Sequence, residues 1–176
     1  MIRYAAGAVL ALALAGPVAA APAKAPKVSI ASFTQLKTPL PYPYDETADA
    51  DAIATSAKVA AANTKAKAAG KLLLIDLGGN WCGDCRILAA TMDLPEFKTF
   101  VHRHYETVEV DVGRLDKNLQ VPAKYGITDR LEGVPSLLIV DPRTGKLINA
   151  GRTANLSDAR HMTPQALADY LAQWTR

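Results

Sequence analysis

The sequence predicts an α/β domain in which helices alternate with strands, and three observations carry that expectation. Leu72-Leu73-Leu74-Ile75-Asp76-Leu77 is apolar throughout except for one carboxylate, the pattern of a fully buried, parallel strand. Thr107–Val112 alternates in character as a strand does. Val134–Asp141 is β-rich and runs through the turn residues Pro142-Arg143-Thr144-Gly145 into Lys146–Ala150, so these two segments form an antiparallel hairpin.

The elements follow in order. Residues 1–20 read as a secretory signal peptide: Arg3, an apolar stretch from Tyr4 to Ala15, Gly16-Pro17, then small residues, with cleavage between Ala20 and Ala21. An uncleaved anchor is the alternative, and export makes the protein periplasmic. Residues 21–44 form a linker and an extended strap. Ala21–Lys27, made of Ala, Pro and Lys, is expected to be disordered, and Val28–Phe33 forms a strand or part of the strap. Pro39-Leu40-Pro41-Tyr42-Pro43-Tyr44 lacks alternate N–H donors and packs on the domain, leaving open whether Tyr42 or Tyr44 borders the functional groove.

Residues 45–176 form the folded domain. Asp45–Gly70 reads as one helix, acidic at its start, basic near its end, with an apolar stripe of Ile53, Ala57, Ala60 and Ala61. Further helices are expected at Cys82–Ala90, with Ile87 and Leu88 toward the sheet, at Pro95–His104, and briefly at Pro122–Tyr125. The last begins at Thr163-Pro164 and carries Leu167, Tyr170, Leu171 and Trp174 on one face.

Both cysteines lie in Trp81-Cys82-Gly83-Asp84-Cys85, between the buried strand and a helix start. Two sulfurs at this spacing can close a disulfide. Unpaired N–H groups and the helix dipole stabilise the first thiolate, lowering a cysteine pKa from about 8.5 toward roughly 3.5–7.5. Cys82 therefore reads as nucleophile and Cys85 as its resolving partner. A zinc site needs four ligands, and the remaining candidates, His102, His104 and His161, lack the usual spacing, so no metal is expected. The formal charge of +3 falls to +2 when Arg3 leaves with residues 1–20, too small an imbalance to suggest a nucleic-acid partner.

The order of elements, Trp81 before Cys82, Asp76 six residues ahead of Cys82, and Lys124-Tyr125-Gly126-Ile127 followed by Gly133-Val134-Pro135-Ser136 resemble the thioredoxin family. That resemblance covers about Asp45 to Arg176, with Asp84 resembling exported members that carry an acidic residue between the cysteines. It implies a thioredoxin fold, a central mixed sheet flanked by helices, here with an N-terminal extension. It also implies a thiol–disulfide oxidoreductase without a cofactor, acting on disulfide-containing proteins, with a membrane thiol-transfer protein as electron donor. Asp76 would accept the Cys85 proton, and Pro135 would be cis, letting the exposed backbone of Val134 pair with an extended substrate. Trp81, Gly83 and Asp84 would complete the substrate surface. Three departures stand out: Asp84 in place of proline, a longer loop over Thr128–Glu132, and Thr107 where the family has a lysine partner for the buried carboxylate.

Charge argues for direction. Asp84, partly exposed beside the Cys82 thiolate, and Asp76 favour the disulfide and hence a reductant, while the helix dipole and Arg86 oppose them. A reductase is expected; an oxidase, an isomerase and a non-catalytic binding module with the same fold are the alternatives.

Overall fold

The computed structural model describes residues 21–175. The signal peptide expected at residues 1–20 and the final residue, 176, lie outside the described residues.

A four-stranded sheet has the order β2-β1-β3-β4, with β1 Leu72–Gly78, β2 Tyr105–Asp111, β3 Ser136–Asp141 and β4 Lys146–Leu147. β1 pairs parallel with β2, Asp76 opposite Glu109, and antiparallel with β3, Leu77 opposite Ser136. All seven residues of β1 are buried, as its apolar run requires. β4 is shorter than expected because the Asn149 side chain takes over the pairing: its Oδ1 accepts from Ile139 N and its Nδ2 donates to Leu137 O.

The helices are α1 Ala52–Ala68, α2 Gly83–Met92, α3 Pro95–His104, α4 Gln120–Ala123 and α5 Pro164–Ala172. On one face, Leu74, Leu137 and Ile139 pack with Leu88 of α2, Phe97 and Val101 of α3, and Leu167 and Leu171 of α5. On the other, Ile75, Leu138 and Val110 pack with Val59, Ala62 and Ala66 of α1 and with Val121 of α4. Truncating a fully buried member such as Leu88 or Leu138 to Ala would cost about 2–5 kcal/mol.

Four expectations are corrected. The helix over Asp45–Gly70 starts at Ala52, because Asp51 is its extended N-cap, accepting from Ala54 N, and Asp49 is drawn inward to Lys58 and to Asp111 N. Its buried stripe is Thr55, Val59, Ala62 and Ala66; Ile53 is 82% exposed and Ala57, Ala60 and Ala61 face solvent. The short helix comes two residues early, at Gln120–Ala123, which leaves Pro122 in a first turn where no N–H is missed. Ala21–Lys27, expected to be disordered, is extended chain held by side chains of the C-terminal helix region: Gln165 donates to Pro26 O and accepts from Val28 N, and Thr175 Oγ1 accepts from Ala23 N. Local composition carries no trace of such distant partners.

Candidate active site

β1 ends at Gly78, and Gly79-Asn80-Trp81 turns the chain into α2. Cys82, extended at φ −83° and ψ 114°, is the N-cap of that helix, and its Sγ accepts from Cys85 N at 3.1 Å. Cys82 and Cys85 are joined as a disulfide with Cα atoms 5.3 Å apart. The geometry places Cys82 at the rim and Cys85, 0% exposed, behind it. Opposite the sulfurs the Val134–Pro135 peptide is cis, and Cys82 Sγ lies 3.4 Å from Val134 O. Val134 is itself buried, so the backbone expected to be exposed there is reached only where the residue lines the groove. That groove, about 380 Å³, is bordered by Trp81, Gly83, Leu115, Glu132, Val134 and Arg160.

Trp81 is 45% exposed and fixed, its Nε1–H donating to Gly113 O at 2.7 Å and its ring lying under the Arg114 guanidinium. Gly83 keeps the helix start open, since a Cβ there would stand 3.3 Å from Arg160 Nη2.

The expected exposure of Asp84 is overturned. Its carboxylate is buried and gripped by Arg160, whose backbone N donates to Oδ1 at 2.8 Å, whose Nε reaches both oxygens, and whose Nη2 reaches Oδ2 at 2.6 Å. Burial pushes the Asp84 carboxyl up, but the hydrogen bonds and charge of Arg160 together outweigh it and hold the group below its ordinary value. A neutralised pair thus replaces the free negative charge that the sequence places between the cysteines. Arg160 sits 76 residues away in the short turn Ala159–His161, with no local signal to mark it.

Arg86 is redirected too. Its guanidinium turns to the strap, donating to Pro41 O and Leu40 O and covering the Tyr42 ring at 4.0 Å, rather than facing the sulfurs. Three N–H-deficient prolines make this a segment whose carbonyls need outside donors, and Arg86 supplies them.

Asp76 projects from β1 beneath α2 and is 5% exposed. Tyr44 Oη donates to its Oδ1 at 2.9 Å. Burial raises the carboxyl, the tyrosine hydrogen bond lowers it, and Glu109 repels its charge, leaving it at about 7. A cavity of about 320 Å³ reaches Asp76 between Pro41 and Pro43 of the strap, Thr107 and Glu109 of β2, and His102 of α3. Gly78 marks where this site meets the dithiol: an added Cβ would overlap the Tyr44 phenol and come 2.8 Å from Cys85 Sγ. Of the two strap tyrosines, Tyr44 is therefore internal to the site, while Tyr42 is 66% exposed.

The chain belongs to the thioredoxin-like family, whose model matches residues 54–142, from α1 to the turn after β3. A disulphide isomerase from Xylella fastidiosa Temecula1 superposes with a TM-score of 0.66 at 33% identity, over 76% of this chain and 97% of that one. A thioredoxin H-type protein of Oryza sativa subsp. indica is 34% identical over 80 residues, which are 46% of this chain and 57% of that protein; the match thus spans little more than half of that curated relative. The strap, with Tyr44, precedes the family match.

Proposed function

We propose that this protein is an exported thiol–disulfide oxidoreductase that reduces disulfide bonds in protein substrates. The observation that carries the reading is the Cys82–Cys85 pair at the start of α2 with a buried carboxylate, Asp76, on the Cys85 side. The signal-peptide pattern of residues 1–20 supports export to the periplasm, and among the described residues no helix is long and apolar enough to cross a membrane.

In the reduced protein, the Cys82 thiolate attacks one sulfur of the substrate disulfide; a Cys82–substrate bond forms and the other substrate sulfur leaves as a thiolate. Cys85 then passes its proton to ionised Asp76 and attacks Cys82 Sγ, closing the Cys82–Cys85 disulfide and releasing the second substrate sulfur as a thiolate. The substrate gains two electrons and the protein loses two. A membrane thiol-transfer protein returns the protein to the dithiol, its electrons being needed for each cycle. Trp81, Gly83 and Val134, the last joined to Pro135 by the cis peptide, bound the groove in which an extended substrate segment lies against Cys82. Asp84 serves this surface indirectly, by holding Arg160 at the groove edge.

The reducing direction rests on Asp76. Once ionised it opposes a neighbouring thiolate and so favours the protein's disulfide, whereas Asp84 is matched by Arg160. Disulfide isomerisation is the second reading, favoured by the Xylella fastidiosa protein, described as a disulphide isomerase. Insulin-disulfide reduction measured beside reactivation of scrambled ribonuclease tests both. Catalysis of insulin reduction with little reactivation is expected; reactivation without net reduction would replace the reductase by an isomerase, and inactivity in both would leave a binding module.

A further inference from the structure

We propose that Tyr44, carried by the N-terminal strap, is a positioning residue for Asp76, so that the strap is a working part of the redox site. Three observations converge on it. Tyr44 is 3% exposed, and its hydroxyl donates to Asp76 Oδ1 at 2.9 Å. Its ring end also lies over Gly78 beside Cys85 Sγ, so one phenol touches both the carboxylate and the surroundings of the resolving sulfur. Finally, its backbone is latched to the dithiol turn: Asn80 Oδ1 accepts from Tyr44 N at 3.1 Å and Asn80 Nδ2 donates to Tyr44 O at 2.8 Å, while Arg86 in α2 holds Leu40 and Pro41. Residues on both sides of the two cysteines thus fix the segment that delivers the hydroxyl.

The partner of Asp76 here carries no positive charge. A lysine would hold Asp76 ionised well below neutral pH, whereas a neutral phenol supplies one hydrogen bond and leaves burial to keep the carboxyl high. Burial and the charge of Asp76 push the Tyr44 hydroxyl well above its ordinary value, so it remains a protonated donor while Asp76 titrates. The other titratable or charged groups facing Asp76 are Cys85 and Asp93 from α2 and its C-cap, Lys98 and His102 from α3, and Glu109 from β2. Among the described residues, only Tyr44 donates a hydrogen bond to the Asp76 carboxylate.

The effect on turnover rests on the oxidoreductase reading, but the effect on Asp76 does not, and the test separates them. The Asp76 carboxyl is titrated by carbon-13 NMR in the full chain, reduced and oxidised, for wild type and Tyr44→Phe, which keeps the ring and removes the hydroxyl. Loss of a hydrogen bond to the charged form should raise the midpoint by about one unit or more. The pH profile of the resolving step should move up with it, with wild-type rates regained at high pH. A midpoint within about 0.3 unit of wild type would overturn the proposal whatever the turnover, a threshold well inside the shift expected for one lost hydrogen bond. Absence of disulfide exchange in wild type would instead strike the oxidoreductase reading. Should Tyr44→Phe fail to fold, Asn80→Ala, which frees the Tyr44 backbone, should raise the midpoint in the same direction by less, and no rise would overturn the proposal.

Discussion

Two buried carboxylates flank the disulfide, and their surroundings have opposite signs. On the strand side Asp76 meets a neutral phenol and a second acid, Glu109, and its carboxyl stands at about 7. On the helix side Asp84 meets a bidentate guanidinium and is held below its ordinary value. Burial alone therefore does not decide what an acidic residue near a dithiol does. A neutral donor leaves the charge available for proton transfer and for tuning the sulfurs, while a cation consumes it in structure.

The pH dependence of stability should separate the two. Asp76 has a folded value raised above its unfolded one, so the folded state binds the extra proton between about 4 and 7, and stability falls as pH rises through that window. Asp84, lowered by Arg160, contributes stability above its unfolded value that is lost as pH falls toward the folded one.

The largest expected effect is on the sulfurs that both regions serve. Cys85→Ser should abolish turnover and accumulate mixed disulfides on Cys82, while Cys82→Ser should trap almost none; equal trapping, read by non-reducing gels, would reverse the assignment. Next comes Asp76→Asn, which should slow the resolving step by about 10²-fold at pH 8 and flatten its pH profile. The same variant should gain stability above pH 7, up to about 4 kcal/mol, by removing a buried charge. Denaturant melts at pH 5 and pH 8 check this: a gain confined to pH 5 would contradict the assigned shift.

Gly78→Ala intrudes on Tyr44 and Cys85 together and should destabilise by about 1–3 kcal/mol while moving the Asp76 titration upward. An unchanged Asp76 midpoint would mean that the phenol yields without leaving the carboxylate. On the helix side, Asp84→Asn leaves Arg160 unmatched and should raise the reduction potential by on the order of tens of millivolts. The double variant Asp84→Asn with Arg160→Met should return close to wild type, because a neutral pair has been removed; glutathione redox titration would show otherwise if Asp84 acts on Cys82 independently. The smallest shift is expected for Thr107→Lys, which brings a cation into the Asp76 cavity and should lower its midpoint by roughly one unit, making the strand side resemble the helix side.

Much of this site was legible from local pattern. The buried strand with its single acid, the dithiol at a helix start, Thr163-Pro164 opening α5 and the strap of alternating prolines are all short-range statements, and the chain obeys them. Local pattern differs from the structure where a side chain's partner lies far along the sequence. Alanines surround α1 and cannot distinguish its faces, so the buried face is chosen by the β1–β2 surface against which Val59 and Ala66 pack. The partner of Asp84 is invisible locally because Arg160 is 76 residues away, and that of Arg86 because the carbonyls it serves are more than 40 residues earlier.

The sequence by itself determined the alternation of helices and strands, the position of the sulfurs at the start of α2, and the presence of one carboxylate in a strand that has no room for it in water. Those properties follow from periodicity, capping and the spacing of residues a few positions apart. Only the tertiary structure decided which carboxylate meets a neutral donor and which meets a cation. Hydrogen bonds and ion pairs act over about 3 Å, and the groups that supply them here, Tyr44 to Asp76 and Arg160 to Asp84, are brought into that range by the packing of strap and turn against the sheet and α2.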